Sequence, residues 1–211
     1  PFQTFDGAIQ ACDQSLKFLQ VDEIDLYLIH NPFAKENRLE LWEAMVELKK
    51  QGKVKHIGVS NYNVNHIQEI EKAGIEMPAA NQIEIHPWHV VSKSLAEYMD
   101  KNEILPIAYS TLAPIPNWRE GSRWNGKPED MKSGAMPCED IANKYAVTVP
   151  QLFLKWAIQL GYPVLPKSVK YDRLKENLSL DHFEISIDDM TSISNIAIDN
   201  QKCLAWSGDF D

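Results

Sequence analysis

Short runs rich in valine, isoleucine and leucine punctuate the chain at Ile24–His30, Val54–Ser60, Asn81–His86, Ile104–Ser110 and Pro163–Ser168. They are mostly continuous rather than alternating, which is the pattern of strands covered on both faces. Around them apolar residues recur at helical spacing over Phe5–Leu19, Leu39–Lys50, Val64–Ala73 and Leu95–Lys101, then over Pro137–Tyr145, Pro150–Leu160, Arg173–Leu178 and Asp188–Ile196. Buried strands alternating with amphipathic helices predict an α/β fold with parallel strands and helical crossovers. The punctuation agrees: Gly52 follows the basic turn Leu48-Lys49-Lys50 as a helix stop, Asn61 or Asn63 caps the next helix, and Asp188 or Ser186 caps the last. Leu112–Met136 has no clear period and is too long for an ordinary connection, so it reads as a functional loop or lid.

Two architectures suit this rhythm, an open doubly wound sheet and a closed (β/α)8 TIM barrel. The run ends separate them. Polar or ionisable residues stand at or near the carboxyl end of each: His30-Asn31, Ser60-Asn61, Gln82 to Glu84, Tyr109-Ser110 and Lys167-Ser168. A barrel draws its chemistry from that rim, strand by strand. No G-x-G-x-x-G follows any run, which argues against a Rossmann-type site.

With 211 residues, 44% hydrophobic and 24% charged, a single globular domain is expected. The net charge of -9, spread along the chain, argues against nucleic acid or anionic membrane as a partner. Cys12, Cys138 and Cys203 fit neither a disulfide framework nor a metal pair, which points to a reducing cytoplasm. No apolar stretch is long enough to span a bilayer, and the start Pro1-Phe2-Gln3 lacks the features of a signal peptide. A start without methionine fits either a chain that begins upstream or processing that exposes a proline. A monomer is expected.

The candidate chemistry lies at the strand ends. His30 is either a hydrogen-bonded structural residue or an imidazole placed to donate to a substrate carbonyl. Ser60 and Asn61 either cap a helix or orient an amide such as a carboxamide, and Gln82 has the same two readings. Tyr109 is core or a flat platform for a cofactor ring. Lys167, Ser168 and Arg173 gather two cations and a hydroxyl at a helix start, where cations are unfavourable unless an anion compensates them, so a phosphate monoester is the favoured reading over a solvated basic turn. Glu176 and Asn177, one turn on, either meet a purine edge or are ordinary exposed helix residues. His86 and His89 have no convincing third ligand, which argues against zinc.

Taken together, Asp25-Leu26-Tyr27-Leu28-Ile29-His30-Asn31-Pro32, Ile57-Gly58-Val59-Ser60-Asn61-Tyr62, Asn81-Gln82-Ile83-Glu84-Ile85-His86-Pro87, Ala108-Tyr109-Ser110 and Leu165-Pro166-Lys167-Ser168-Val169 with Arg173, Glu176 and Asn177 resemble the aldo-keto reductases in order and spacing. The resemblance implies a (β/α)8 barrel represented by its strands 4–8 with their helices, and an NADPH/NADP cofactor. It implies that His30 is the catalytic histidine, that Ser60, Asn61 and Gln82 hold the nicotinamide carboxamide, and that Tyr109 stacks on the ring, with Ser110 beside it. Lys167, Ser168 and Arg173 would surround the 2'-phosphate, with Glu176 and Asn177 near the adenine and Val169 among the cofactor-binding residues. The family's catalytic aspartate, tyrosine and lysine belong to its first three strand–helix units, which the resemblance does not cover. Asn31 stands where a tryptophan commonly follows the histidine, so the substrate pocket is expected to differ.

The expected activity is NADPH-dependent reduction of small-molecule aldehydes or ketones to alcohols by direct hydride transfer. The alternative is a non-catalytic nucleotide-binding or regulatory module, or an inactive fragment, of the same fold.

Overall fold

The computed structural model describes residues 4–115, 138–201 and 203–205. From residue 116 onward the predicted lid lies outside the described residues. The chain forms two compact units, one of residues 4–83 and 92–106, the other of residues 84–91, 107–115, 138–201 and 203–205.

In the first unit helix α1 (Phe5–Leu19) is capped by the Thr4 hydroxyl, which accepts from the Gly7 amide at 3.2 Å, and ends where Gln20 turns left-handed at φ 57°. Strand β1 (Ile24–Ile29) follows. A 3-10 turn at Lys35–Asn37 leads into α2 (Arg38–Lys50), β2 (Val54–Ser60), α3 (Val64–Lys72), β3 (Ala80–Glu84), α4 (Lys93–Lys101) and β4 (Leu105–Tyr109), with Glu84 and the part of β4 from Ile107 belonging to the second unit. The four strands form one sheet in the order β1-β2-β3-β4; β1–β2 and β2–β3 are parallel. Gly52, at φ 72°, stops α2 as expected, its amide donating to Lys49 O. Asn63, not Asn61, caps α3, in a capping box with His66.

Crossover helices bury the middle of this sheet. Trp42 and Leu48 of α2, Ile57 and Val59 of β2 and Ile67 of α3 are at most 1% exposed, and burying each aliphatic side chain contributes about 1.5–3 kcal/mol. Gly58 is required by the close strand packing: a Cβ there would stand 2.7 Å from both Ala80 O and Leu28 Cδ2. By contrast, no residue of the end strand β1 is fully buried, although its sequence is nearly continuous apolar. Phe18 and Leu19, ending α1, are 82% and 62% exposed.

The second unit holds α5 (Glu139–Lys144), α6 (Val149–Gln159), α7 (Tyr171–Leu178) and α8 (Ile187–Asn200). Helix α6 starts with Pro150 in its first turn and a capping box between Thr148 and Gln151. Its residues from Gln151 to Ala157 are all buried, and Phe153 meets Trp88 edge-on with ring centroids 6.1 Å apart. Ser186, not Asp188, caps α8.

The fifth predicted strand is not formed as one. Pro163–Ser168 contributes a single parallel bridge, Ala108 to Val164, with Ala108 N donating to Pro163 O at 2.8 Å and Leu165 N to Ala108 O at 3.2 Å. Pro163 and Pro166 have no N–H to continue a ladder. Among the described residues no helix is long and apolar enough to cross a membrane.

Candidate nucleotide and active site

His30 stands one residue beyond β1 and is exposed. The next residue sets the turn, Asn31 Oδ1 accepting from the Phe33 amide at 3.1 Å. Asn61, just past β2, adopts the left-handed conformation at φ 61°, a strained state for a residue with a side chain and one that asparagine tolerates best. That turn lets Asn61 Nδ2 donate to His30 O at 3.1 Å and to Ser60 Oγ at 3.1 Å. Ser60 Oγ donates to Gln82 O at 2.7 Å, and Asn61 N to the same carbonyl at 3.0 Å. The ends of β1, β2 and β3 are therefore linked by one hydrogen-bonded chain that contains His30, Ser60, Asn61 and Gln82.

Ser60 and Asn61 are only 2% and 1% exposed, and the side-chain bonds described run to neighbouring strand ends rather than to a helix cap. Asn81 adds a second tie, its Nδ2 donating to Tyr62 O at 2.8 Å. A cavity of about 640 Å³ opens beside β1, lined by Tyr27 to Asn31, by Ala8 and Ala11 of α1, and by Leu41 and Met45 of α2.

In the second unit β4 ends in half-buried Tyr109, and Ser110 turns left-handed at φ 55°. The bridge at Val164 brings the following stretch alongside that strand end. Lys167 is exposed, Val169 is 83% exposed, and half-buried Ser168 accepts from the Lys170 amide at 3.1 Å. Lys170 takes the cap position of α7 and offers no side-chain cap bond. Exposed Arg173 lies in the first turn with Asp172. Lys167, Lys170 and Arg173 thus bracket the positive end of a helix whose amides no side chain caps, an arrangement that favours an anion.

Glu176 and Asn177 are not the ordinary exposed helix residues of one sequence reading. Asn177 is 7% exposed, and half-buried Glu176 accepts from the Thr148 hydroxyl.

The sequence pattern offered no role for Glu84, yet it organises a polar cluster in the second unit. Its buried carboxylate accepts from His86 Nε2 at 2.9 Å, Leu204 N at 2.6 Å, Ala205 N at 2.8 Å and the Cys203 thiol at 2.9 Å. Burial alone would raise its pKa, but these donors pull it down to about 2. His86 Nδ1 accepts from Trp88 N, which puts the ring proton on Nε2, and burial keeps the imidazole neutral. His89 instead bonds through Nδ1 to Glu84 O at 2.9 Å. The signal was the Glu84-x-His86 pair itself, but its partners lie more than a hundred residues away.

Residues 4–198 match the family model described as the aldo/keto reductase family. The chain is 34% identical to the glyoxal reductase of Bacillus subtilis over 94% of its own length and 66% of that protein. It is 33% identical to the methylglyoxal reductase of Escherichia coli, covering 89% of this chain and 63% of that one. A crystal structure of a Bombyx mori aldo-keto reductase in complex with NADP superposes with a TM-score of 0.76 at 28% identity, over 92% of this chain and 64% of that one. The chain spans 61–66% of the length of the curated relatives it matches. Family model and relatives agree: the chain belongs to the aldo/keto reductase family.

Proposed function

We propose that this chain carries the histidine and nucleotide-holding part of an NADPH-dependent oxidoreductase that reduces aldehydes and ketones to alcohols. The observation behind the reading is the linked set His30–Asn61–Ser60–Gln82 at three neighbouring strand ends, the rim at which barrel enzymes place their chemistry. NADPH, when bound, supplies the hydride that reduces the carbonyl carbon. The chain's own residues do the rest. The exposed His30 imidazole donates an N–H to the substrate oxygen and stabilises the negative charge that develops there. Ser60, Asn61 and Gln82 offer the hydroxyl and amide groups that a carboxamide requires, on backbone already fixed by their mutual bonds.

Tyr109, with Ser110 beside it, is the ring platform. The uncapped start of α7 with Lys167, Ser168 and Arg173 suits the 2'-phosphate that distinguishes NADPH from NADH, with Val169 among the cofactor-binding residues. Glu176 and Asn177 serve the adenine end. Complexes such as that of the Bombyx mori relative with NADP support the cofactor. Glyoxal and methylglyoxal reductases among the relatives make small aldehydes the first substrates to test. The protein works as a cytoplasmic monomer on small molecules, and its net charge of -9 argues against nucleic acid or anionic membrane as a partner.

The half-exposed apolar strand β1 and the cavity beside it support one further part of the reading: the remaining strands of a barrel pair along that edge and bring the family's proton-donating tyrosine with them. The second reading is a module that holds nucleotide without turnover. Intact mass, fluorescence titration with NADPH and NADH, and carbonyl-dependent NADPH oxidation on one purified sample separate the two. Tighter NADPH binding with turnover supports the reductase. Binding without turnover supports the module, and failure to bind either nucleotide overturns the cofactor assignments.

A further inference from the structure

The loop leaving β1 carries His30, and a side-chain network outside the proposed nucleotide contacts holds that loop from behind. Arg38, the first residue of α2, pairs through two arms with Glu69 of α3, Nε donating to Oε2 at 2.8 Å and Nη2 to Oε1. Its third arm, Nη1, donates to Pro32 O at 3.2 Å. The Arg38 side chain is 17% exposed and Pro32 is buried. A cation at the first residue of a helix opposes the helix dipole, so this placement needs the Glu69 carboxylate. The hydrogen bond to Glu69 in turn raises the Arg38 pKa and lowers that of Glu69, and both stay charged.

The bond to Pro32 completes a pattern. Asn61 Nδ2 holds the carbonyl of His30, Asn31 Oδ1 holds the amide of Phe33, and Arg38 holds the carbonyl of Pro32 between them. Donors from two different elements thus fix peptide groups at His30 and two residues beyond it. The backbone at His30 sets where its imidazole can reach, and a shift of about 1 Å is enough to cost two orders of magnitude in turnover. A planar guanidinium can grip a carboxylate with two arms and still reach a carbonyl with a third; an ammonium cannot match that geometry.

We propose that Arg38, held by Glu69, is a positioning residue that sets the orientation of His30 through the Pro32 carbonyl. The proposal rests on the reductase reading for its kinetic consequence but not for its structural one, and the test separates them. The first readout needs no turnover: hydrogen exchange of the Asn31, Phe33 and Ala34 amides, and the ring nitrogen signals of His30, in the full chain and in R38M, R38K and E69Q. In R38M, exchange over these amides rises about tenfold and the His30 ring signals shift, while exchange in β2 is unchanged. R38K recovers part of the effect, and E69Q changes less than R38M. Unaltered His30 signals in a folded R38M overturn the proposal. If R38M does not fold, unaltered signals in both R38K and E69Q do so.

The second readout is carbonyl reduction. The turnover number of R38M falls about ten- to a hundredfold, with KM and NADPH affinity within about twofold of the parent and partial rescue in R38K. Loss of NADPH affinity in step with turnover overturns the proposal, because it makes Arg38 a general structural residue. Absence of turnover in the unaltered protein would count against the reductase reading instead, and the first readout then decides the role of Arg38.

Discussion

Two charged clusters of the second unit are built on opposite principles. Around Glu84 every group has an answer within the fold: the carboxylate is buried, and backbone amides, a thiol and a neutral imidazole converge on it. Around the start of α7 the charges are exposed, Lys170 caps nothing, and the lysines and Arg173 stand at a helix end that repels them. A buried polar group left unanswered costs free energy, so it persists where the chain itself completes it. An exposed group carries no such penalty and stays available for a ligand. Glu84 is therefore a latch of the fold, and the α7 start is the place to look for an anion.

The contrast breaks most directly at Glu84. Glu84→Ala leaves Leu204 N, Ala205 N and the His86 Nε2 proton without their acceptor, and the expected loss of stability is roughly 3–5 kcal/mol by denaturant unfolding. Little or no loss would show that the segment 203–205 is held by something other than the carboxylate.

Acid tests the same latch without mutation. His86 has its folded pKa lowered below the ordinary 6.5 by burial, and Glu84 has its own lowered from 4.5 to about 2 by its donors. In both cases the unfolded chain binds more protons, so stability rises with pH across each window. Stability should fall as pH drops below about 6.5 and again from about 4.5 toward 2, on the order of 3 kcal/mol for the carboxylate part. Thermal melts from neutral to acid pH check it, and in E84Q the lower-pH loss should shrink.

At the other cluster the effect moves from stability to binding. Arg173→Met or Lys167→Met should weaken NADPH binding about tenfold, near 1.4 kcal/mol, and leave NADH binding and the melting temperature almost unchanged. Equal losses for both nucleotides would remove the 2'-phosphate assignment. The smallest effect expected is that of salt. Raising it from about 0.05 to about 0.5 M should weaken NADPH binding several-fold, because exposed charges are screened, while the contribution of Glu84, shielded from solvent, barely changes.

Much of the scaffold is legible in the hydropathy pattern. Phe5–Leu19 and Val54–Ser60 appear with the predicted bounds, and the remaining helices and the first four strands shift only at their ends. Pro163–Ser168 departs from the pattern because two prolines interrupt the amide ladder, a signal present in the sequence but outweighed by the apolar run. Ser60 and Asn61 show the other kind of limit. A Ser-Asn pair after a strand serves equally as cap or ligand until its neighbours are known, and the structure removes the cap reading alone, with Asn63 as the actual cap and Asn61 in a left-handed turn.

By itself, then, the sequence determined the local elements and the residues at their ends, because periodicity, capping and proline act over a few positions. It also carried the motifs that mark the aldo/keto reductase family. Only the tertiary structure decided which of those residues meet: Arg38 with Glu69 across 31 positions, Asn61 with the carbonyl of His30, and Glu84 with residues more than a hundred positions away. It also decided that Ile57 and Val59 of β2 are buried beneath the crossover helices. Burial depends on what packs alongside a strand, and no local pattern contains that information.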